Sequence, residues 1–314
     1  MTYSSPKALV LGSDYTGEIN GRLGVAEWLG AEITHVPLAL ANAVADGHAA
    51  PIDFEGHDLL LGGTGEDTSD LGLRFAEKTG LPMTVFLASI LPDRLDPRIL
   101  DYDLIVAPPH SELSGEKVLT ILGVPHRFSP QQPTPEQISE EPKLALLLGG
   151  NTRYCDGFTP DYAARLGKRL LNQAHIWNGR FTITNSRRTP EEALKTLRQV
   201  LAPVETYFLE WSTAAPNEYQ TLLQEADIIF CTGDSLSMCS EAAMTGKPLL
   251  VTCDEDAMEI YHLQTIQRMI SEGHATAFSE PVKDYPEPNR VLDTTGLIGQ
   301  KIMERLKARK RIQP

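Results

Sequence analysis

Cysteine is scarce in this chain, and basic charge is nearly missing from one half of it. Four cysteines occur in 314 residues, Cys155, Cys231, Cys239 and Cys253, and none forms a C-x-x-C pair. In a chain this long they read as buried or incidental thiols, not as a disulfide framework. No apolar run approaches the roughly 18–20 residues that span a membrane. Residues 1–7 are polar and lack the apolar core of a signal peptide. These absences predict a cytoplasmic protein. HExxH, DxD, zinc-knuckle, Walker A and G-x-S-x-G patterns are read as missing, so neither a metal site nor a serine-hydrolase triad is expected. The dinucleotide spacing G-x-G-x-x-G is also missing, and no cofactor is predicted.

What is present is acidic. The chain carries 28 Lys+Arg against 42 Asp+Glu, a formal net charge of −14. Residues 1–140 hold 8 basic and 20 acidic side chains, and the remainder holds 20 and 22. Such acidity argues against a nucleic-acid partner and against electrostatic docking on an anionic membrane. A polyphosphate ligand fits the second half better than the first.

Length suggests about two domains. Apolar runs at 8–11, 33–37, 58–61, 84–87 and 103–106 predict strands, with helices at 19–29, 70–79 and 116–122. Uninterrupted runs such as Leu59-Leu60-Leu61 fit strands covered on both faces. The stretch SPQQPTPEQISEEPK, 129–143, is proline-rich and polar and reads as a linker. The alternation then restarts, with strands near 144–148, 181–184, 206–209, 227–231 and 248–252 and helices between them. Thr189-Pro190 predicts a capped helix start with proline at the first helical position. Ile298, Ile302 and Leu306 recur at helical spacing in a last helix from about 295 to 309, with Lys307, Arg309, Lys310 and Arg311 crowding its end. The domains are therefore read as 1–135 and 136–294, with 295–314 a terminal helix packing back on the first. Strand–helix alternation predicts an α/β chain of two doubly wound, Rossmann-like domains.

Five segments carry polar chemistry. In 226–251 an apolar strand runs into Thr232-Gly233-Asp234-Ser235, then a helix bearing Ser237, Ser240 and Glu241. Hydroxyls and open N–H groups at a helix start suit a phosphate. Glu241 stands four residues after Ser237, placed to accept from a ribose diol; helix capping explains several of these residues equally well. In LLLGGNTRY, 146–154, Gly149, Gly150 and Asn151 follow a strand and offer successive amides as an anion nest, or simply a tight turn. Ser186, Arg187 and Arg188 follow another strand and place cationic forks where a diphosphate needs them. The first strand–turn–helix contains Asp14 and Glu18, candidates for a general base, although Glu18 also complements a helix dipole. Gly62-Gly63-Thr64-Gly65-Glu66-Asp67-Thr68 and Pro108-Pro109-His110-Ser111 follow two further strands, with His110 an acid/base candidate or an acceptor contact.

With these motifs in view, the chain resembles the elongated-mitochondria (mitochondrial fission) family from about residue 10 to 272. The most specific pieces are ITNSRRTPEE at 183–192 and GDSLSMCSEAAMTGKPLLV at 233–251. That family is similar to the two-domain B-type glycosyltransferases, whose domains face each other across a cleft. The resemblance implies a nucleotide-sugar donor and an unidentified acceptor, without metal. It makes Glu241 the ribose ligand, Ser235, Ser237, Gly150 and Asn151 phosphate-side groups, and Ser186, Arg187 and Arg188 further diphosphate or base contacts. Three positions depart from the family pattern. Gly17-Glu18 stands for Gly-His, Glu66-Asp67 for two arginines, and Pro108-Pro109-His110-Ser111 for Pro-Glu-His-Asp. All lie in the acceptor half, so a catalytically silent scaffold is the rival expectation, and an epimerase or hydrolase a third.

Overall fold

The computed structural model describes residues 5–14, 16–50, 56–63, 69–80, 83–87, 91–130, 138–212 and 218–312. The chain forms two units, Met1–Phe128 with Asp293–Pro314, and Ser129–Leu292. Each is a six-stranded sheet in which every strand pairing is parallel.

In the first unit the order along the chain is β1 (Lys7–Leu11), α1 (Thr16–Trp28), β2 (Glu32–Val36), α2 (Leu38–Ala45), β3 (Leu59–Gly62), α3 (Leu71–Thr79), β4 (Thr84–Leu87), β5 (Leu104–Ala107) and β6 (Val118–Thr120). In space the strands lie β2-β1-β3-β4-β5-β6. Strands β3, β4 and β5 are buried at every position. That is why their sequence is continuously apolar and does not alternate. One sheet face packs on α1 and on the terminal helix α9 (Thr294–Ile312), whose Ile298, Ile302 and Leu306 join Val25, Ala26 and Leu29 in one core. The opposite face packs on α2 and α3 through Ala41, Val44, Leu71 and Phe75. Thr295 anchors the start of α9, donating from Oγ1 to the His126 carbonyl at 2.9 Å and accepting the His126 N–H at 3.0 Å.

The second unit runs β7 (Lys143–Leu147), α4 (Pro160–Trp177), β8 (Arg180–Thr184), α5 (Glu191–Leu201), β9 (Glu205–Leu209), α6 (Glu218–Glu225), β10 (Ile228–Thr232), α7 (Leu236–Ala243), β11 (Leu249–Thr252), α8 (Ile260–Ser271) and β12 (Thr276–Ala277). Its strand order is β12-β11-β10-β7-β8-β9. Phe230 sits at the centre of an aromatic cluster, 5.0 Å from the Phe278 ring, 5.4 Å from Phe181 and 6.1 Å from Trp177.

Three local expectations are corrected. Residues 116–122 are not a helix: Val118-Leu119-Thr120 pairs with Ile105-Val106-Ala107 as an edge strand. Two of these three residues are β-branched, and the apolar run is too short to compete as a helix. Helix α2 was not anticipated, because LALANAVA is apolar or alanine at nearly every position and has no polar face to reveal a period. Helix α5 begins one residue late. Pro190 takes the cap position with no side-chain cap bond, and the Thr189 hydroxyl turns instead to the Gly149 carbonyl.

Phe230→Ala removes the ring on which three others pack. It should destabilise the second unit by about 3–5 kcal/mol, read as a lower denaturation midpoint; an unchanged midpoint would show that this cluster does not hold the sheet.

Candidate functional site

A doubly wound sheet opens a crevice at its carboxyl edge where the strand order reverses. In the second unit that point lies between β7 and β10, flanked by β8. The loops after these three strands carry the second-half candidate residues, and they interlock. The Gly149 N–H donates to Thr232 Oγ1 at 2.8 Å, and the Gly150 N–H to Asp234 Oδ2 at 2.7 Å. The Asn151 N–H donates to the Arg188 carbonyl at 3.1 Å. Arg188 Nη1 donates to the carbonyls of Gly150 at 3.0 Å and Asn151 at 2.8 Å, and its Nη2 lies 3.4 Å from Asp234 Oδ2. The Ser186 hydroxyl donates to the Gly149 carbonyl at 2.7 Å. Asn151 Oδ1 accepts the Phe158 N–H at 3.1 Å.

This knot explains the two glycines. A Cβ at Gly149 would lie 2.0 Å from an Asp234 carboxylate oxygen, and one at Gly150 would lie 2.1 Å from the Arg188 carbonyl. Their amides already serve internal acceptors, so the expected anion nest is filled by the chain itself. Arg188 turns into the crevice, whereas Arg187 is exposed and lines a recess of about 790 Å³ that it shares with Ser186, Thr189, α5 residues, Phe208 and Trp211. The two arginines therefore do not act as one fork.

Helix α7 starts at the crevice. Ser235 is buried at its cap position and makes no side-chain cap bond, Ser237 is half-buried, and the Ser240 hydroxyl donates back to the Leu236 carbonyl at 2.7 Å. One turn further on, Glu241 Oε2 accepts the Tyr219 hydroxyl of α6 at 2.8 Å. Burial pushes the Glu241 carboxyl up to about 7, opposed by that phenol. Burial likewise pushes Asp234 up to about 6, against the pull of Arg188, the Gly150 N–H and the Thr232 hydroxyl. Tyr219 could not be found in the sequence: it lies 22 residues before Glu241 on another helix, and only tertiary packing joins them.

In the first unit the order reverses between β1 and β3. Arg22, which is fully buried, closes that point. It donates to the carbonyls of Leu11 at 2.6 Å and Gly12 at 3.1 Å, and to that of Gly63. Its Nη2 also lies 3.2 Å from Glu18 Oε2, which accepts the Ser13 hydroxyl at 2.7 Å. Burial lowers the Arg22 pKa, partly offset by Glu18. Asp14 is exposed. His110 sits on a short turn after β5, and β3 and β4 separate β5 from β1. At about 4.8 Å per strand, His110 is roughly 14 Å across the sheet edge from the strand that leads to Glu18. The sheet does not bring these two candidates together. Glu66 and Asp67 lie outside the described residues.

Asp-x-Asp does occur, at Asp101-Tyr102-Asp103 and Asp254-Glu255-Asp256, which corrects the expectation of none, and these acids have structural partners. Asp103 Oδ2 accepts the Thr84 N–H at 2.8 Å, and its Oδ1 pairs with Arg309. Asp254 accepts from Arg169 at 2.6 Å and from the Tyr162 hydroxyl at 3.2 Å, and Asp256 pairs with Arg165. Among the described residues no group of three or more His, Cys, Asp or Glu is placed to hold a metal ion.

The model of the family described as "Mitochondrial fission ELM1" matches residues 16–306. The chain belongs to that family. An uncharacterized protein of Rickettsia prowazekii is 32% identical over 143 residues, and the mitochondrial fission protein ELM1 of Arabidopsis thaliana is 31% identical over 111. These matches cover 44% and 35% of this chain and only 39% and 25% of the relatives' own length. Among solved structures, UDP-GlcNAc 2-epimerase of Methanocaldococcus jannaschii is similar at a TM-score of 0.56 and 12% identity, over 95% of this chain and 99% of that one. A glycosyltransferase of Rickettsia africae is similar at 0.52 and 12%, over 98% and 89%. The same epimerase in complex with UDP-GlcNAc and UDP gives 0.52 and 11%, over 95% and 99%. At such identities the likeness is one of fold: two Rossmann-like domains of the B-type glycosyltransferase class. No described helix is long and apolar enough to cross a membrane.

The two raised carboxyls give a pH dependence of stability. Their folded pKa values exceed the unfolded ones, so their contribution is complete below about pH 4 and is lost as the pH rises through about 6 and about 7. Asp234→Asn should remove one share, on the order of 3 kcal/mol. The difference in melting temperature between wild type and variant should therefore change between about pH 4 and 7. A constant difference would mean that Asp234 titrates as an ordinary surface acid.

Proposed function

We propose that the second unit binds a nucleotide sugar at the β7–β10 crevice and that the protein transfers the sugar, without a metal, to an acceptor hydroxyl. The observation that carries this reading is Glu241, braced by Tyr219 in the second turn of a helix that starts at the switch point. A carboxylate held there can accept both hydroxyls of a ribose. Ser235, Ser237 and the amino end of α7 then face the phosphates, where the helix dipole favours negative charge. Gly149, Gly150, Asn151, Ser186 and Arg188 shape the crevice wall, and Arg188 brings its positive charge. The fold neighbour that holds UDP-GlcNAc and UDP supports a nucleotide of this kind.

In the transfer, the acceptor oxygen forms a bond to the anomeric carbon while the bond to the diphosphate oxygen breaks. The nucleoside diphosphate leaves with the electron pair, and the acceptor proton passes to a carboxylate. Glu18 of the first unit is the assigned base, with Asp14 the exposed alternative. One observation favours a second reading, a nucleotide-binding scaffold without turnover. The Glu18 carboxylate is already engaged by Ser13 and by the buried Arg22.

A UDP sugar, or its GDP or ADP counterpart, should raise the melting temperature of the protein. Glu241→Gln should weaken binding about 10–100-fold, the loss expected for a charged hydrogen bond. Equal binding by the variant would remove Glu241 from the ribose. Binding with no sugar transferred or hydrolysed across a panel of acceptors would select the scaffold.

A further inference from the structure

The crevice of the second unit contains an anion of its own. Asp234 immediately precedes Ser235, its side chain is 2% exposed, and its Oδ2 takes the Gly150 N–H and lies beside the Arg188 guanidinium. The backbone amide and the cation that a phosphate would seek at this wall are therefore already answered by a carboxylate of the chain. Arg187 is exposed on the recess beside α5 and is no buried partner of Asp234.

The other titratable groups around Asp234 supply no compensating charge. Tyr162 approaches from α4 and Cys231 from β10, and burial raises both well above their ordinary values, which leaves them neutral. The Thr232 hydroxyl is neutral, and Glu241, in the second turn of α7, is a further acid. Among the described residues, Arg188 is thus the cation that balances Asp234. A diphosphate arriving at the amino end of α7 would place further negative charge beside a desolvated carboxylate, where like charges repel far more strongly than in water.

We propose that Asp234 is a built-in competitor for the phosphates of the nucleotide, and that the nucleotide binds together with a proton taken up by this carboxyl. Protonation removes the charge that Arg188 now balances and leaves its Nη2 for the phosphate, while Nη1 stays on the Gly150 and Asn151 carbonyls. It keeps the cradle intact, because a neutral carboxyl still accepts the Gly150 N–H through its carbonyl oxygen. Burial has already moved Asp234 up to about 6, so the proton is available near neutral pH. The consequence is a nucleotide affinity that rises as the pH falls. The proposal rests on the nucleotide reading above, and its test separates the two.

The experiment is calorimetric titration of the full chain with UDP-N-acetylglucosamine, and with the GDP and ADP sugars, each beside its matched nucleoside, from about pH 5.5 to 8. The diphosphate diester of a nucleotide sugar keeps its charge over this range, so the ligand does not titrate. The nucleoside shares base and ribose and therefore reports any titration of Glu241. The sugar-nucleotide affinity should rise, relative to the nucleoside, by about tenfold or more from pH 8 to 6. Asp234→Asn should flatten that ratio and bind at pH 8 at least as tightly as wild type. If this variant fails to fold, wild type titrated near pH 7 in buffers of different ionisation enthalpy should show close to one proton taken up per nucleotide sugar. A flat ratio with no proton uptake overturns the proposal and leaves the nucleotide site standing. No binding of any nucleotide or nucleoside at any pH overturns the site itself.

Discussion

A buried carboxylate against a guanidinium and a glycine amide ties together three loops at one edge of the second unit's sheet. Asp234, Arg188 and Gly150 come from the loops after β10, β8 and β7, three adjacent strands. Loops at a sheet edge are ordinarily the loosest part of such a fold. Here each is fastened to the other two, because a charge hidden from water must find a partner and donors close by. The cost of the arrangement is visible in Asp234 itself, which holds its proton about two pH units longer than a free aspartate would.

The first unit solves the same geometric problem with the opposite charge. Arg22 spans the reversal between β1 and β3 and satisfies three carbonyls at once. Its position accounts for Glu18, whose carboxylate serves as the counterion of a fully buried cation. Elsewhere the acidity of this half is spread over the surface around few cations. Arg74 meets both Asp46 and Asp70, and Arg98 meets Asp70 and Glu77. Membership in the ELM1 family and the B-type glycosyltransferase fold take in both units alike.

Much of the architecture was legible in the residues. Uninterrupted apolar runs such as Leu59-Leu60-Leu61 and Leu104-Ile105-Val106 mark strands covered on both sides, and they are buried throughout. The spacing of Ile298, Ile302 and Leu306 marks a helix with one buried stripe, and that stripe is in the core of the first unit. Residues 116–122 misled because a short run with mixed propensity takes its structure from its neighbour, here β5. Thr189 misled because its hydroxyl had two candidate partners of equal chemistry, its own helix and the Gly149 carbonyl.

The sequence by itself determined the strand and helix alternation, the near-neutral second half and the polar residues at the strand ends, because periodicity and charge are local properties of a chain. Only the tertiary structure decided what those residues touch. It gave the glycine amides to Thr232 and Asp234, split Arg187 from Arg188, joined Tyr219 to Glu241 and set Arg22 beneath Glu18. Hydrogen bonds and buried charges are settled among all groups that packing brings within about 3 Å, and that set is fixed by which strands become neighbours.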